Sequence, residues 1–419
     1  MAAFQITGGE PLIGSIDIQG SKNASLPILA ASLLHQGITV LYGCPNILDV
    51  RYMIEIIRSL GCKIEWNSEF LQIDASEVDV EHLSRSCLGK MRSSILLLGA
   101  LIGRCGKLKL DYPGGCTIGA RPIDMHLNAF KSMGVQIKEV DDQIICYTDK
   151  LYGKRIVLPY PSVGATENLM MAAVWAEGVT WIENAAKEPE VIELARFLNQ
   201  MGGCIHGEGT DRIGILGKCS LHDVAYKITG DRIVAGTYLL AAAGTKGRIE
   251  IRGVQVKDLQ AVLHICEEMG CRIQKSEKSV FLESKHRLFS VKDIHTQPFP
   301  GFPTDMQSQL MAVLSTAKGV TIIHEHVFEK RFRTAKELGR MGADIQIKNN
   351  RAVIRGVESL KGCSVSAMDL RGGAALIIDG LMAEGDSIVE NSIFVERGYQ
   401  DICKDLRQLG ANIKIINGK

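Results

Sequence analysis

In the segment Gly114-Gly115-Cys116-Thr117-Ile118-Gly119-Ala120-Arg121-Pro122-Ile123-Asp124, a thiol stands among glycines and polar residues, five positions ahead of an arginine. Such neighbours predict an exposed cysteine on a loop with glycine hinges rather than a core filler. A free thiol titrates near about 8.5 and is mostly protonated at neutrality, so it can donate a proton. Arg121 and the start of a following helix would lower that value and favour a nucleophilic thiolate. Both chemistries stay open on this reading.

Charged residues recur at matched distances from glycines along the chain. Arg121 lies 13 residues before Gly134 and Arg397 lies 13 before Gly410, with Arg331 two residues later in its own segment. Arg92, Asp305 and Arg371 each stand 14 residues before Gly106, Gly319 and Gly385, and Lys22 and Arg232 stand 15 before Gly37 and Gly247. These offsets predict charged groups at helix N-termini. A cation is unfavourable there because the helix dipole is positive at that end. An anion held between the side chain and the free backbone N–H groups removes the conflict. One arginine alone would read as an ordinary surface ion pair. The repetition predicts an anion-binding cleft between two lobes.

Further groups stand at predicted helix starts. Ser162, Val163 and Gly164 precede a helical run and offer backbone N–H groups to a diphosphate. Pro122 suits a first helical position and Asp124 a first turn. Asn23, Thr304 and Asp305 are suited to capping as well as to binding. His126 reads equally as a binding residue or as part of an amphipathic face. His324 and His326 share one face of a strand-like run with no third ligand evident, so they read as strand surface, and no metal site is expected. The stretches GEGTDRIG and GGAALIIDG lack the Lys-Ser/Thr of a phosphate loop.

The elements that must position these residues repeat. An amphipathic helix, a glycine and a short strand recur at Gly61, Gly134, Gly202, Gly270, Gly342 and Gly410, spaced by roughly 70 residues. A second glycine series, Gly37, Gly106, Gly178, Gly247, Gly319 and Gly385, marks the end of an earlier helix in each unit. WNSE and VDDQ read as hairpin turns. The helix carrying LPILAASLL is apolar nearly all round, which places it inside the protein. Six units divide into two domains of three: residues 22–229, and residues 230–419 completed by an N-terminal strand from 1–21.

Composition bounds the rest. The chain has 419 residues, with Lys+Arg 48 against Asp+Glu 47, so no global field attracts nucleic acid or an anionic membrane. The longest apolar run, near Ser94 to Gly103, is shorter than the roughly 20 residues of a spanning helix, and the N-terminus lacks a secretory pattern. A cytoplasmic protein with small-molecule partners is expected. Twelve cysteines without a Cys-x-x-Cys pair predict reduced thiols.

GSKNASLPILAASLL (Gly20 to Leu34), GGCTIGARPIDMH (Gly114 to His126), PSVGATENLMMAA (Pro161 to Ala173), GFPTDMQSQ (Gly301 to Gln309), MDLRGGAALI (Met368 to Ile377) and VERGYQ (Val395 to Gln400) resemble the UDP-N-acetylglucosamine 1-carboxyvinyltransferase family, the enolpyruvyl transferases of peptidoglycan synthesis. The resemblance runs end to end. It implies an α/β fold, a two-lobed inside-out α/β barrel with one lobe discontinuous. The implied reaction is addition–elimination moving enolpyruvyl from phosphoenolpyruvate to the 3-hydroxyl of UDP-N-acetylglucosamine, without cofactor or metal.

By resemblance, Lys22, Arg121 and Arg397 take the phosphate and Arg331 and Arg371 the carboxylate. Arg92 lies near both ligands, and Asp305 is the base or hydroxyl-positioning group if enclosure raises its pKa. Cys116 is the proton donor to C3 or the covalent nucleophile. Asn23 meets the sugar, Arg121, Pro122, Ile123, Asp124 and His126 the uracil end, and Thr304, Val327 and Asp369 complete the substrate contacts. Tyr160 and Pro161 stand where members often have a lysine before the Ser-Val-Gly turn, and Ile95 and Leu96 where some have a tryptophan. The competing readings are a shikimate-type transferase, which lacks the cysteine lid, and a non-catalytic UDP-sugar-binding paralogue, which would have eroded these residues.

Overall fold

The computed structural model describes residues 2–83, 88–114, 118–119 and 122–417; Cys116 and Arg121 lie outside the described residues. Two compact units emerge. One comprises residues 2–19 and 229–417, with 118–119 grouped in it, and the other residues 20–114 and 122–228.

In the unit of residues 20–228, three sheets accompany three largely buried helices, Lys22–Ala31, Leu96–Cys105 and Val163–Ala173. Side chains that are apolar on every face leave a helix no solvent side, so it must be covered all round. Ser21 caps the first helix by accepting from Ala24 N–H at 3.2 Å, and Ser162 caps the third by accepting from Ala165 N–H at 3.3 Å. Pro27 lies inside the first helix and cannot donate to the carbonyl of Asn23. The strand Val224–Lys227 returns to pair parallel with Ile38–Tyr42, Ala225 opposite Val40, closing the unit on its first sheet.

The unit of residues 2–19 and 229–417 repeats the plan with helices Arg232–Gly244, Gln307–Leu314 and Leu370–Met382, which pack on one another. Its N-terminal residues complete two sheets. Ala2–Thr7 lies between Asp386–Glu390 and Asn412–Asn417, antiparallel to both, with Phe4 opposite Val389 and Ile415. Ile13–Asp17 runs parallel to Arg248–Arg252.

The first glycine series behaves as its spacing predicts. Gly61, Gly134, Gly202, Gly270, Gly342 and Gly410 follow helix ends with φ of 94°, 102°, 103°, 98°, 100° and 93°, which side chains with a Cβ rarely adopt. The second series divides. Gly106, Gly178, Gly319 and Gly385 have positive φ, whereas Gly37 and Gly247 do not. Close approach explains those two: an added Cβ would come within 2.2 Å of Asp223 Oδ1 and 2.3 Å of Leu12 O. WNSE and VDDQ do form turns, the second through Asp141 and Asp142 at φ 48° and 59°. Among the described residues no helix is long and apolar enough to cross a membrane, and the ten described cysteines are free thiols.

Candidate active site

In the unit of residues 2–19 and 229–417, the site residues converge on one carboxylate. Asp305 lies in the short turn Thr304–Met306 that leads into Gln307–Leu314, the N-cap positions falling to Pro303 and Met306. Arg331 Nη2 donates to its Oδ1, and Arg371 Nη2 donates to its Oδ2 at 2.9 Å. Arg331 Nε also donates to Thr304 O at 3.1 Å. The arginines are only 2% and 3% exposed, so neither charge is relieved by bulk water.

Burial works against the charge of Arg371, but Asp305 beside it, with Tyr399 and Asp231 nearby, raises its pKa overall. Its Nη1 is buried without a hydrogen-bond partner. Two guanidiniums thus share one carboxylate, and Asp231 also acts on Arg371. An enclosed apolar site would have made Asp305 a stronger base; here the ion pairs favour its charged form instead.

The supporting groups were not legible from spacing. Glu325 Oε2 accepts from Thr304 Oγ1 at 3.0 Å, while its Oε1 accepts from Val327 and Phe328 N–H at 2.8 and 3.0 Å. One side chain thus ties the turn bearing Asp305 to the loop bearing Val327. Asp369 caps Leu370–Met382 by accepting from the N–H groups of Arg371 and Gly372, each at 3.0 Å, which fixes the backbone beneath Arg371. Tyr399 and Thr237 share a hydroxyl hydrogen bond of 2.7 Å, and Gln309 Nε2 donates to Thr237 Oγ1 at 3.2 Å.

Arg397 corrects one expectation. It sits at the C-terminal end of Ile393–Glu396, not at the start of the next helix, which begins at Ile402. Gly398 approaches Leu370 so closely that an added Cβ would lie 2.7 Å from its Cδ2, and the chain turns there. Gln19 braces the turn, accepting from Gln400 N–H at 2.7 Å and donating to Gly398 O at 3.1 Å. A helix C-terminus favours a cation, so the dipole argument does not apply to Arg397.

In the unit of residues 20–114 and 122–228, Lys22 opens its helix and pairs with Asp49 at 2.9 Å, their side chains 12% and 3% exposed. Asn23 follows at the second helical position, the capping role falling to Ser21. Arg92 opens the short turn before Leu96–Cys105 and donates to Pro113 O at 3.2 Å. Ile95 and Leu96 are both buried, so this wall is aliphatic.

Pro122 lies two residues before the helix Asp124–Ser132, with Ile123 at the capping position, rather than at the first helical position. Asp124 does occupy the first turn, where its charge suits the dipole. His126 is 6% exposed and faces the helix start at Gly164, where an added Cβ would stand 3.4 Å from its Cε1. Asn168 fixes its tautomer. The Asn168 Oδ1 accepts from Gly99 N–H at 2.6 Å and Nδ2 donates to Ile95 O at 2.8 Å, so the 2.9 Å contact from Nδ2 makes His126 Nδ1 an acceptor. The proton of a neutral ring is then on Nε2. One turn into the same helix, Glu167 is fully buried, and burial together with Glu190 and Glu188 pushes its pKa well above the usual carboxylate range.

Residues 6–406 match the EPSP synthase (3-phosphoshikimate 1-carboxyvinyltransferase) family. UDP-N-acetylglucosamine 1-carboxyvinyltransferase 2 of Caldanaerobacter subterraneus subsp. tengcongensis is 46% identical over 413 residues, 99% of each chain. UDP-N-acetylglucosamine 1-carboxyvinyltransferase of Coxiella burnetii is 46% identical over 414 residues, 98% of this chain and 95% of that relative. The enolpyruvyl transferase NikO from Streptomyces tendae has the same fold, with a TM-score of 0.90 at 24% identity, covering 100% of this chain and 99% of that one.

Proposed function

Because this chain belongs to the EPSP synthase family, on the branch of the UDP-N-acetylglucosamine 1-carboxyvinyltransferases, we propose that the residues described above carry enolpyruvyl transfer from phosphoenolpyruvate to the 3-hydroxyl of UDP-N-acetylglucosamine. Phosphate is released, and the step commits the sugar to peptidoglycan, the polymer on which cell shape and division depend. The full-length likeness to that branch is the observation that carries the reading. A cytoplasmic location fits both substrates.

The chemistry then distributes as follows. The sugar oxygen bonds to C2 of the enol as its proton leaves, and C3 gains a proton. The adduct then loses phosphate from C2 and a proton from C3, which restores the double bond. Asp305 orients the 3-hydroxyl and receives its proton once the carboxylate and phosphate of phosphoenolpyruvate engage Arg331, Arg371 and Arg397. Buried guanidiniums suit that exchange because their bidentate forks match both anions. Lys22, Arg92 and Arg121 neutralise charge accumulating on the leaving phosphate, and Cys116 protonates C3.

Asn23, Pro122, Ile123, Asp124 and His126 hold the nucleotide sugar, His126 offering an Nε2–H donor. Ser162, Val163 and Gly164 receive the diphosphate at their helix start, and Thr304, Val327 and Asp369 shape the sugar contacts around Asp305. Phosphate release from the two substrates, measured with the natural chain and with Cys116→Ala, tests this. Turnover should be strong in the first and severely reduced in the second. Release with shikimate 3-phosphate but none with the nucleotide sugar would overturn it.

A further inference from the structure

His324 and His326 gain a third imidazole from the fold. Asp293–His295 pairs parallel with Val320–His324, and the register sets His295 directly beside His324. Nearly parallel rings result: His295 and His324 have centroids 4.3 Å apart, His295 and His326 5.3 Å, and His324 and His326 6.1 Å. His295 Nδ1 and His326 Nε2 approach to 3.0 Å. One nitrogen of each of the three histidines lies within 4.8 Å of the others, and no other three potential ligands among the described residues are so gathered.

We propose that His295, His324 and His326 form a transition-metal site, taking Zn²⁺, Cu²⁺ or Ni²⁺ outside the residues that carry enolpyruvyl transfer. Imidazole nitrogens select these ions, whereas Mg²⁺ and Ca²⁺ require oxygen cages. Bonds of about 2.0–2.1 Å in a tetrahedral shell set ligand nitrogens roughly 3.4 Å apart. Parallel rings do not aim their lone pairs at one point, so binding turns the two exposed rings, His295 and His326, out of the stack towards His324 and replaces their 3.0 Å hydrogen bond with bonds to the ion. Asp293 Oδ1 stands 3.5 Å from His324 Nε2 and acts as the carboxylate behind that ligand.

The intervening residue ties this site to the rest of the unit. Successive residues of an extended chain point to opposite sides. Glu325 accordingly turns away from the two histidines and spends its carboxylate on Thr304, Val327 and Phe328. Both sides of one strand end are thus committed, one to the imidazoles and the other to the turn that carries Asp305.

Titrating the purified chain with Co²⁺ alone, then displacing it with Zn²⁺, tests the proposal without any substrate. Co²⁺ should bind with one-to-one stoichiometry and show visible ligand-field bands, with no intense thiolate charge-transfer band. His295→Gln should weaken binding by about tenfold or more, and His295→Gln with His326→Gln should abolish it. Circular dichroism and unchanged phosphate release keep a folding defect from imitating the loss. A thiolate band, binding that survives the double substitution, or no binding by the natural chain would each overturn the proposal.

Discussion

The two units share a plan and differ in how they treat charge. In the unit of residues 20–228, the ammonium of Lys22 meets the carboxylate of Asp49 at 2.9 Å. In the other, Asp305 serves both Arg331 and Arg371, and Arg371 keeps a buried N–H without a partner. The unpartnered N–H of Arg371 is hydrogen-bonding capacity that an incoming anion can take up. The units differ in how a buried charge is held: Lys22 on Asp49 in the first, Arg331 and Arg371 sharing Asp305 in the second.

The strongest attempt to break this contrast is Asp305→Ala, which strands two buried guanidiniums. It should destabilise the fold by about 3–5 kcal/mol in urea denaturation. Asp305→Asn keeps the shape and should lower kcat by about 10²–10⁴-fold with a smaller change in stability. Asp49→Asn should cost less, about 1–3 kcal/mol, because one partly accessible ammonium loses a charged acceptor. Equal costs for Asp49→Asn and Asp305→Ala would erase the distinction between the units.

A pH experiment sharpens the comparison, because each unit holds a buried acid whose pKa is raised far above its ordinary value. Burial, then Glu190 and Glu188, raises the pKa of Glu167 well above 4.5, and burial raises that of Asp379 well above 3.8. Both oxygens of Asp379 lack hydrogen-bond partners, and the nearby hydroxyl of Ser315 donates to Ala312 O at 2.6 Å. The folded chain therefore holds protons that the unfolded chain releases. The contribution of these two groups is full below the ordinary carboxylate range and is lost as pH rises towards their folded values, by about 1.4 kcal/mol per pH unit for each group. Glu167→Gln and Asp379→Asn should each flatten the decline of Tm as pH rises above the ordinary carboxylate range, leaving the other unit's contribution intact. The smallest effect is expected at Arg155, paired with Glu183 on the surface: Arg155→Ala should leave Tm unchanged within error.

What the sequence made legible follows from locality. Helix, glycine and strand are neighbours along the chain, so the six glycines with positive φ could be read from their spacing alone. Lys22, Arg92 and Asp305 stand at the starts of helices or helical turns for the same reason. Pairings between distant segments were not legible. Asp49, Gln19 and Glu325 look like ordinary polar residues until the fold brings Lys22, Gly398 and Thr304 to them. His295 stayed hidden because a parallel register, set by a crossover, leaves no local mark. Arg397 was misplaced because counting from Gly410 cannot reveal that the chain turns at Gly398.

Wrapping sheets around helices that have no wet face reverses the usual order of solvent access. In Leu370–Met382 every residue except the last is buried. Deuterium uptake should therefore run slowest along such helices and fastest at the sheet margins. Breathing of an outer strand can expose its own amides without wetting the axis of its unit, so each unit can loosen at its rim while its centre stays dry.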